Sequence, residues 1–260
     1  MRIAGRLAGA LCGLFAICCT TTTEDSSILE ASSSGDFMPE VRAAYTFKRY
    51  EPFSTGRVDP ATGRRMHGAI RQVELAAETS LSRAAGSFEV EYVDGGGFPI
   101  GGGTVQPAVG DEGDYELLLY ALDLRARIKQ AATPEPFAEP VIREWSMWAM
   151  DGLIGVGVQS LDLEIQGRSE NQMDVGMHLG LRGEWRPIRA GGLFGSFGAY
   201  FGFGGNAGNT LTLDGGVAVH LGNNVALQGG WRFAAYSRET SESELNLSAS
   251  GPFAALVFDF

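Results

Sequence analysis

The chain has very little cysteine. Its 260 residues contain three cysteines, and all of them (Cys12, Cys18 and Cys19) lie within the first twenty positions. A domain that begins after this point has no disulfide available, which excludes the small disulfide-stapled folds. Basic residues are also scarce, since 20 Lys and Arg against 31 Asp and Glu give a formal net charge of −11. Phosphate backbones need a basic surface, so we expect no nucleic-acid partner.

Long hydrophobic runs are missing as well. No run reaches the roughly 20 residues that a transmembrane helix needs. The apolar stretch 7–17 follows Arg2 and Arg6, an arrangement typical of an export signal. We therefore predict a signal peptide over residues 1–20.

Two alternatives remain at the end of this signal. Cys18 or Cys19 could carry acyl chains, as in bacterial lipoproteins, or the signal could be cleaved nearby without lipidation. A lipoprotein cleavage site has a small residue before the cysteine, whereas Ile17 or Cys18 stands there. This departure favours plain cleavage. Residues 21–37, rich in Thr, Ser and acids, are predicted to be a disordered polar tether.

Alternation of apolar and polar residues is abundant, and it predicts β-strands. The clearest segments are 173–185, 193–203, 210–221 and 225–236. In the third of these, Leu213 and Val217 share one face and Asp214 the other. The 37 glycines are about twice the usual share. Each segment is long enough to cross a bilayer as a tilted strand of roughly ten residues.

Weaker strands are predicted before and within this series, at 41–49, 71–81, 88–93, 116–129 and 152–166. The last of them changes phase near Gln159 and Ser160, which predicts a β-bulge. With a closing strand at the end of the chain, the count is ten. Eight is the alternative, with the first two segments outside the wall.

The closing strand carries a resemblance to a known family. The chain ends on Phe260, and Phe258, Leu256 and Ala254 share its face. This ending, the signal and the alternating strands resemble the small bacterial outer-membrane barrels of the OmpA/OmpX type, over roughly residues 40–260. The resemblance implies an all-β fold: a single up-and-down antiparallel transmembrane β-barrel over 38–260. It implies location in the cell outer membrane, with outer-membrane lipid as partner and a monomeric state.

The polar faces supply the candidate site residues. Across the 222–224 turn, Asp214 is predicted to face Arg232, and across the preceding loop Tyr200 is predicted to face Asp214. With His178 and Arg182, these residues form a predicted network in the lumen. Buried charges need partners, so a plug that fills and rigidifies the barrel is favoured over a polar route through it.

Catalytic and metal chemistry find weak support. His178 is placed near Ser160, but no third residue completes a catalytic group, and a lone barrel histidine is more often a hydrogen-bonded wall residue. Asp162, Glu164 and Asp174 are predicted at one rim, where solvation is favoured over a divalent cation. We expect no catalysis, no cofactor and no metal.

The function expected from these observations is a non-catalytic outer-membrane β-barrel with a structural, envelope-integrity or surface-interaction role. Three alternatives remain: a narrow channel for small polar solutes, a soluble or lipid-tethered periplasmic β-domain that binds an apolar ligand, and a barrel hydrolase acting on lipid or peptide. Phe260 is assigned to the periplasmic side. The connection 51–68 is assigned to the opposite side.

Overall fold

The alternating segments form strands throughout the part of the chain that the structure describes. The computed structural model describes residues 26–54, 61, 69–132, 148–188, 190–222 and 224–260. The predicted signal peptide and both candidate lipidation sites, Cys18 and Cys19, lie outside these residues.

Twelve strands follow one another in the described ranges. In chain order they are β1 (Ser27–Ser34), β2 (Met38–Ser54), β3 (Ala69–Asp94), β4 (Phe98–Ile100), β5 (Gly103–Val105), β6 (Glu112–Ala132), β7 (Trp148–Ile165), β8 (Arg168–Ile188), β9 (Gly191–Gly202), β10 (Asn209–His220), β11 (Val225–Glu239) and β12 (Ser243–Asp259).

Ten of these strands form one sheet that closes on itself, which confirms the all-β barrel and the predicted count of ten. From β6 to β12, each strand pairs antiparallel with the next along the chain. The closure differs from an up-and-down barrel, because β1 and β2 both pair parallel with β12. Both also pair antiparallel with β3. β1 and β2 lie end to end beside β12 and share one place in the ring. The ten strands therefore occupy nine places around the barrel.

The members of the sheet differ from those predicted. β1 occupies residues 27–34 of the segment 21–37 that was predicted to be a disordered tether, so that prediction is wrong for these eight residues. β1 was missed because its sequence, SILEASSS, has one β-branched residue and no aromatic to signal a strand. The two segments predicted at 71–81 and 88–93 are one continuous strand, β3. One missed strand and one merger leave the total unchanged.

The barrel has two parts with opposite distributions of polarity, and β7 shows both. From Trp148 to Val158 the exposed face carries large apolar side chains, with Ile154 55% and Val156 54% exposed. From Leu161 to Ile165 the apolar side chains point inward, with Leu161 and Leu163 each 3% exposed. We call the part of the barrel at the level of Trp148–Val158 the belt, and the part at the level of Leu161–Ile165 the crown.

The change of phase near Gln159 is therefore not a bulge. β7 pairs with β6 and β8 without any shift of register, and odd-numbered residues face inward along its whole length. The residue types change while the backbone continues: the inward face turns from polar to apolar, and the outward face turns from apolar to polar. The predicted bulge is wrong because it assumed one environment for each face.

The crown has its own apolar core. Leu29 of β1, Phe88 and Val90 of β3, Leu117 of β6 and Leu245 of β12 belong to one buried cluster. The short β4–β5 hairpin lies over it and buries Phe98, Ile100 and Val105 in the same cluster. The interior of the crown is consequently filled by side chains from the wall and from this hairpin.

Candidate functional site

The polar interior of the belt is the candidate site, and its first group surrounds Arg232. Asp214 and Arg232 are direct cross-strand partners, as predicted, and Arg232 Nη2 donates to Asp214 Oδ2 at 2.8 Å. Ser196 Oγ donates to the same carboxylate oxygen at 2.6 Å. Arg232 also pairs with Glu40, whose other oxygen lies 2.8 Å from Arg42 Nε. These buried charges thus compensate one another.

A second group of charges gathers around Asp259, one residue before the end of the chain. Arg125 Nη2 donates to Asp259 Oδ1 at 2.9 Å, and Arg127 Nη1 donates to Oδ2 at 2.6 Å. Arg127 also forms a two-point contact with Asp151, at 2.6 and 2.8 Å. Glu78 joins Arg125 to the predicted site residue Arg182.

These two groups tie the closing strands to the rest of the wall. β2 and β12 pair over seven residues only, which makes their parallel seam a short junction. Arg232–Glu40 and Arg42–Gln228 link β2 to β11, across β12. The contacts of Asp259 link β12 to β6. Charged hydrogen bonds are the strong ones, so the interior network acts as a clamp on the seam.

Two predicted site residues have other partners than expected. The prediction that Tyr200 faces Asp214 is wrong: Tyr200 lies across from Thr210 and His178, and its hydroxyl donates to the backbone oxygen of Asp174 at 2.8 Å. The register of the β9–β10 hairpin decides this, because Asp214 lies across from Ser196.

His178 lies across from Gly155 rather than near Ser160. Its Nδ1 is 2.9 Å from both carboxylate oxygens of Asp123, and both side chains are buried. Such a pair resembles two members of a catalytic triad. In the described ranges, the hydrogen bonds of the His178 ring go to Asp123, which holds the ring against β6.

Aromatic rings and a small cavity complete the interior of the belt. Phe194 and Phe253 lie with their ring centroids 6.0 Å apart, and the Arg232 guanidinium lies 4.1 Å from the Phe253 centroid. Toward Phe260 a cavity of about 50 Å³ opens, lined by Arg42, Arg182 and His220 among others. It holds a few water molecules at most. Its charged lining is mutually paired, as in the His220 Nε2–Glu184 contact of 2.6 Å.

The exterior of the crown is strongly acidic. Three pairs of carboxylates lie directly opposite each other on neighbouring strands: Glu89–Glu112, Asp114–Glu164 and Glu116–Asp162. Like charges in such positions repel, and Arg83 offsets one of them through a 2.6 Å contact with Glu116. These six carboxylates make the outer surface of the crown polar and negatively charged.

The predicted rim of carboxylates is divided between two faces. Asp162 accepts a hydrogen bond from Asn171 on the crown exterior, whereas Asp174 accepts one from the Gly208 amide at 2.9 Å. Nowhere in the described ranges do three or more His, Cys, Asp or Glu side chains form a group suited to a metal ion.

Beyond β5, Asp111 accepts hydrogen bonds from the Ala108 amide and from Gln166, both at 2.9 Å. These bonds, the backbone one first, hold its pKa below the ordinary 3.8.

Several members of the interior network were missed from the sequence: Glu40, Glu78, Asp123, Arg125, Arg127 and Asp259. All of them except Glu78, which Thr79 follows, stand between apolar residues, as in Ala121-Leu-Asp-Leu-Arg-Ala126. That pattern signals an inward face. The pattern does not show which strand lies opposite across the barrel, because that depends on how the ring closes. The hydrogen-bond partners of these residues could therefore not be assigned from the sequence.

No protein-family model, curated protein or solved structure matches the chain. In the described part of the chain, no helix has the length and apolar character to cross a membrane.

Proposed function

We propose that this chain is an exported, non-catalytic outer-membrane β-barrel with a structural, envelope-integrity or surface-interaction role, monomeric and surrounded by outer-membrane lipid. The observation that carries the proposal is the exchange of polarity along single strands such as β7. An apolar exterior over Trp148–Val158 matches the roughly 9–11 residues that a tilted strand needs to cross a bilayer. A polar exterior with an apolar core follows in the crown, as expected for a part that lies in water.

The apolar exterior continues around the belt. Large exposed apolar side chains occur there on β2, β3 and on each strand from β6 to β11, and another follows the end of β12: Val41, Leu81, Leu124, Ile154, Val175, Leu193, Val217, Leu227 and Phe260. A contiguous apolar surface of more than a few hundred Å² marks a membrane or protein contact. Because the surface encircles the barrel, lipid is the occupant that fits it, and a soluble periplasmic β-domain is disfavoured.

The filled interior disfavours the channel alternative. The crown core with its β4–β5 hairpin closes one end, and the paired arginines with Phe194 and Phe253 occupy the belt. A polar solute would have to open both. We therefore propose a barrel that acts through its wall and its exposed surfaces, with Phe260 on the periplasmic side.

Membrane fractionation tests the proposal. The protein should enter the outer-membrane fraction, require detergent for extraction and change its gel mobility on heating. Recovery in the soluble periplasmic fraction without detergent would contradict the proposal.

Planar-bilayer recording tests the non-conducting interior. The purified, folded barrel should give no conductance steps, with a porin as the positive control. Steady steps from several preparations would favour the narrow channel instead.

A further inference from the structure

The two ends of the described chain lie at opposite ends of the barrel. β1 runs parallel to β12 from the crown toward the belt, and the Ser27 amide donates to the backbone oxygen of Glu242 at 3.0 Å. At the other end, the Asp259 amide donates to the backbone oxygen of Asn224 at 2.8 Å. Ser27 therefore lies with the β11–β12 connection, and Phe260 lies with the β10–β11 turn.

This arrangement follows from the parallel closure. In a ring of strictly alternating strands, the first strand begins at the end where the last one finishes. Here β1 and β2 share one position and run in the same direction as β12, so the chain enters the wall at the crown. β12 has 17 residues, which at about 3.3 Å per residue separate its ends by roughly 55 Å along the strand.

We infer that Ser26, the first described residue, lies on the crown side of the membrane, opposite to Phe260. This inference rests on the proposed function, since it needs the belt to lie in a bilayer. With Phe260 in the periplasm, Ser26 and the start of β1 lie at the cell surface beside the acidic crown exterior.

β1 is held firmly in this position. It pairs along both edges, with β12 and with β3, and it buries Leu29 and Ala31 in the crown core. At the break between β1 and β2, Gly35 adopts a φ of 92° and its amide donates to Ser250 at 2.7 Å. Asp36 accepts a hydrogen bond from the Tyr115 hydroxyl at 3.0 Å. These contacts hold β1 in the wall and thereby fix its starting end at the crown.

Epitope tags in the full-length protein test the inference. One tag is inserted between Asp25 and Ser26, a second at Gly167 in the crown turn between β7 and β8, and a third at Gly222 in the turn between β10 and β11. Antibody binding is compared in intact and permeabilised cells, and heat-modifiable mobility shows that each variant is folded. The first two tags should be bound in intact cells, and the third only after permeabilisation.

The outcomes separate this inference from the proposed function. Protection of the first tag in intact cells, while the Gly167 tag is bound, overturns the inference and leaves the barrel intact. If only the Gly222 tag is bound, the two ends still lie on opposite sides, and the assigned orientation is overturned. If all three tagged variants are recovered in the soluble fraction and bind antibody alike, the membrane location is contradicted. The inference is then contradicted with it.

A second measurement needs no insertion. A Glu-specific protease added to intact cells should cleave after Glu24 and remove the residues before Asp25, a loss that mass spectrometry detects. Cleavage only after permeabilisation would overturn the inference.

Discussion

A lysine at Ile154 gives the sharpest test of what surrounds the belt. Ile154 lies near the middle of the Trp148–Val158 stretch and is 55% exposed. On the surface of a soluble protein, a substitution at such a position changes the free energy of unfolding by about 0.5 kcal/mol or less. On the lipid face near the bilayer midplane, a lysine costs about 2–4 kcal/mol. The loss of unfolding free energy expected for Ile154→Lys is therefore several-fold larger if lipid surrounds the belt than if water does.

Glu164→Lys is the matched control, because Glu164 lies on the same outward face of the same strand, in the crown. It stands directly across from Asp114, so the substitution replaces a like-charge pair by an opposite-charge pair. The expected effect is neutral or stabilising by up to about 1 kcal/mol. A lysine introduced on one face of β7 should thus have opposite consequences at two positions that lie ten residues apart.

Urea-induced equilibrium unfolding in lipid vesicles measures both variants, and the tryptophans of the belt, such as Trp185 and Trp231, report the transition by fluorescence. Ile154→Lys should lower the urea midpoint strongly, and Glu164→Lys should leave it unchanged or raise it. If Ile154→Lys does not fold fully, the heat-modifiable band still gives the folded fraction in the absence of urea. Equal midpoints for the two variants would refute a lipid environment for the belt.

Two further predictions concern the seam and are measured by the same unfolding experiment. Gly251→Ala should destabilise the barrel by about 1–3 kcal/mol, because its Cβ would overlap the backbone oxygen of Asp36. Gly152→Ala is the control and should not destabilise the barrel, because its Cβ meets no atom within 4 Å. Equal losses of stability in the two variants would contradict the close approach at the seam. Asp259→Asn should cost about 1–3 kcal/mol by weakening the charged hydrogen bond from Arg125; an unchanged midpoint would show that the clamp does not hold the seam.

The belt strands could be predicted from the sequence because two periodic signals agree there. Within the segments 173–185, 193–203, 210–221 and 225–236, apolar residues largely alternate with polar or glycine residues, and the turns between strands fix the register of the hairpins. The direct pairing of Asp214 with Arg232 follows from this local register and is confirmed. Contacts within one hairpin are thus accessible from sequence.

Contacts across the ring could not be predicted. Glu40 reaches Arg232 and Asp259 reaches Arg125 only because the first and last strands meet. Alternation states which side of a strand faces inward, but it does not state which distant strand stands beside it. The partners of these side chains depend on closure, and closure depends on the number and direction of all the strands.

The ten strands show how a correct count can accompany a wrong topology. Splitting β3 added one strand, and omitting β1 removed one. The errors cancel in the total but not in the direction of β2, which runs parallel to β12. Ser54 and Ala69, the ends of β2 and β3 that this connection joins, therefore lie at the Phe260 end, opposite to the side predicted for 51–68.

The splitting of β3 into two predicted strands and the mistaken bulge have one physical cause. A strand that lies wholly in one environment keeps one apolar face, whereas β3, β6 and β7 pass from the belt to the crown and exchange their apolar and polar faces on the way. Near the level of exchange, both faces carry small or polar residues, such as Ser82, Arg83 and Ser87 of β3, which weakens the alternation that defines a strand. A break in periodicity can therefore mark a change of surroundings along an unbroken strand. The Ile154 and Glu164 substitutions examine that distinction directly, because they lie on one face of one strand on either side of the exchange.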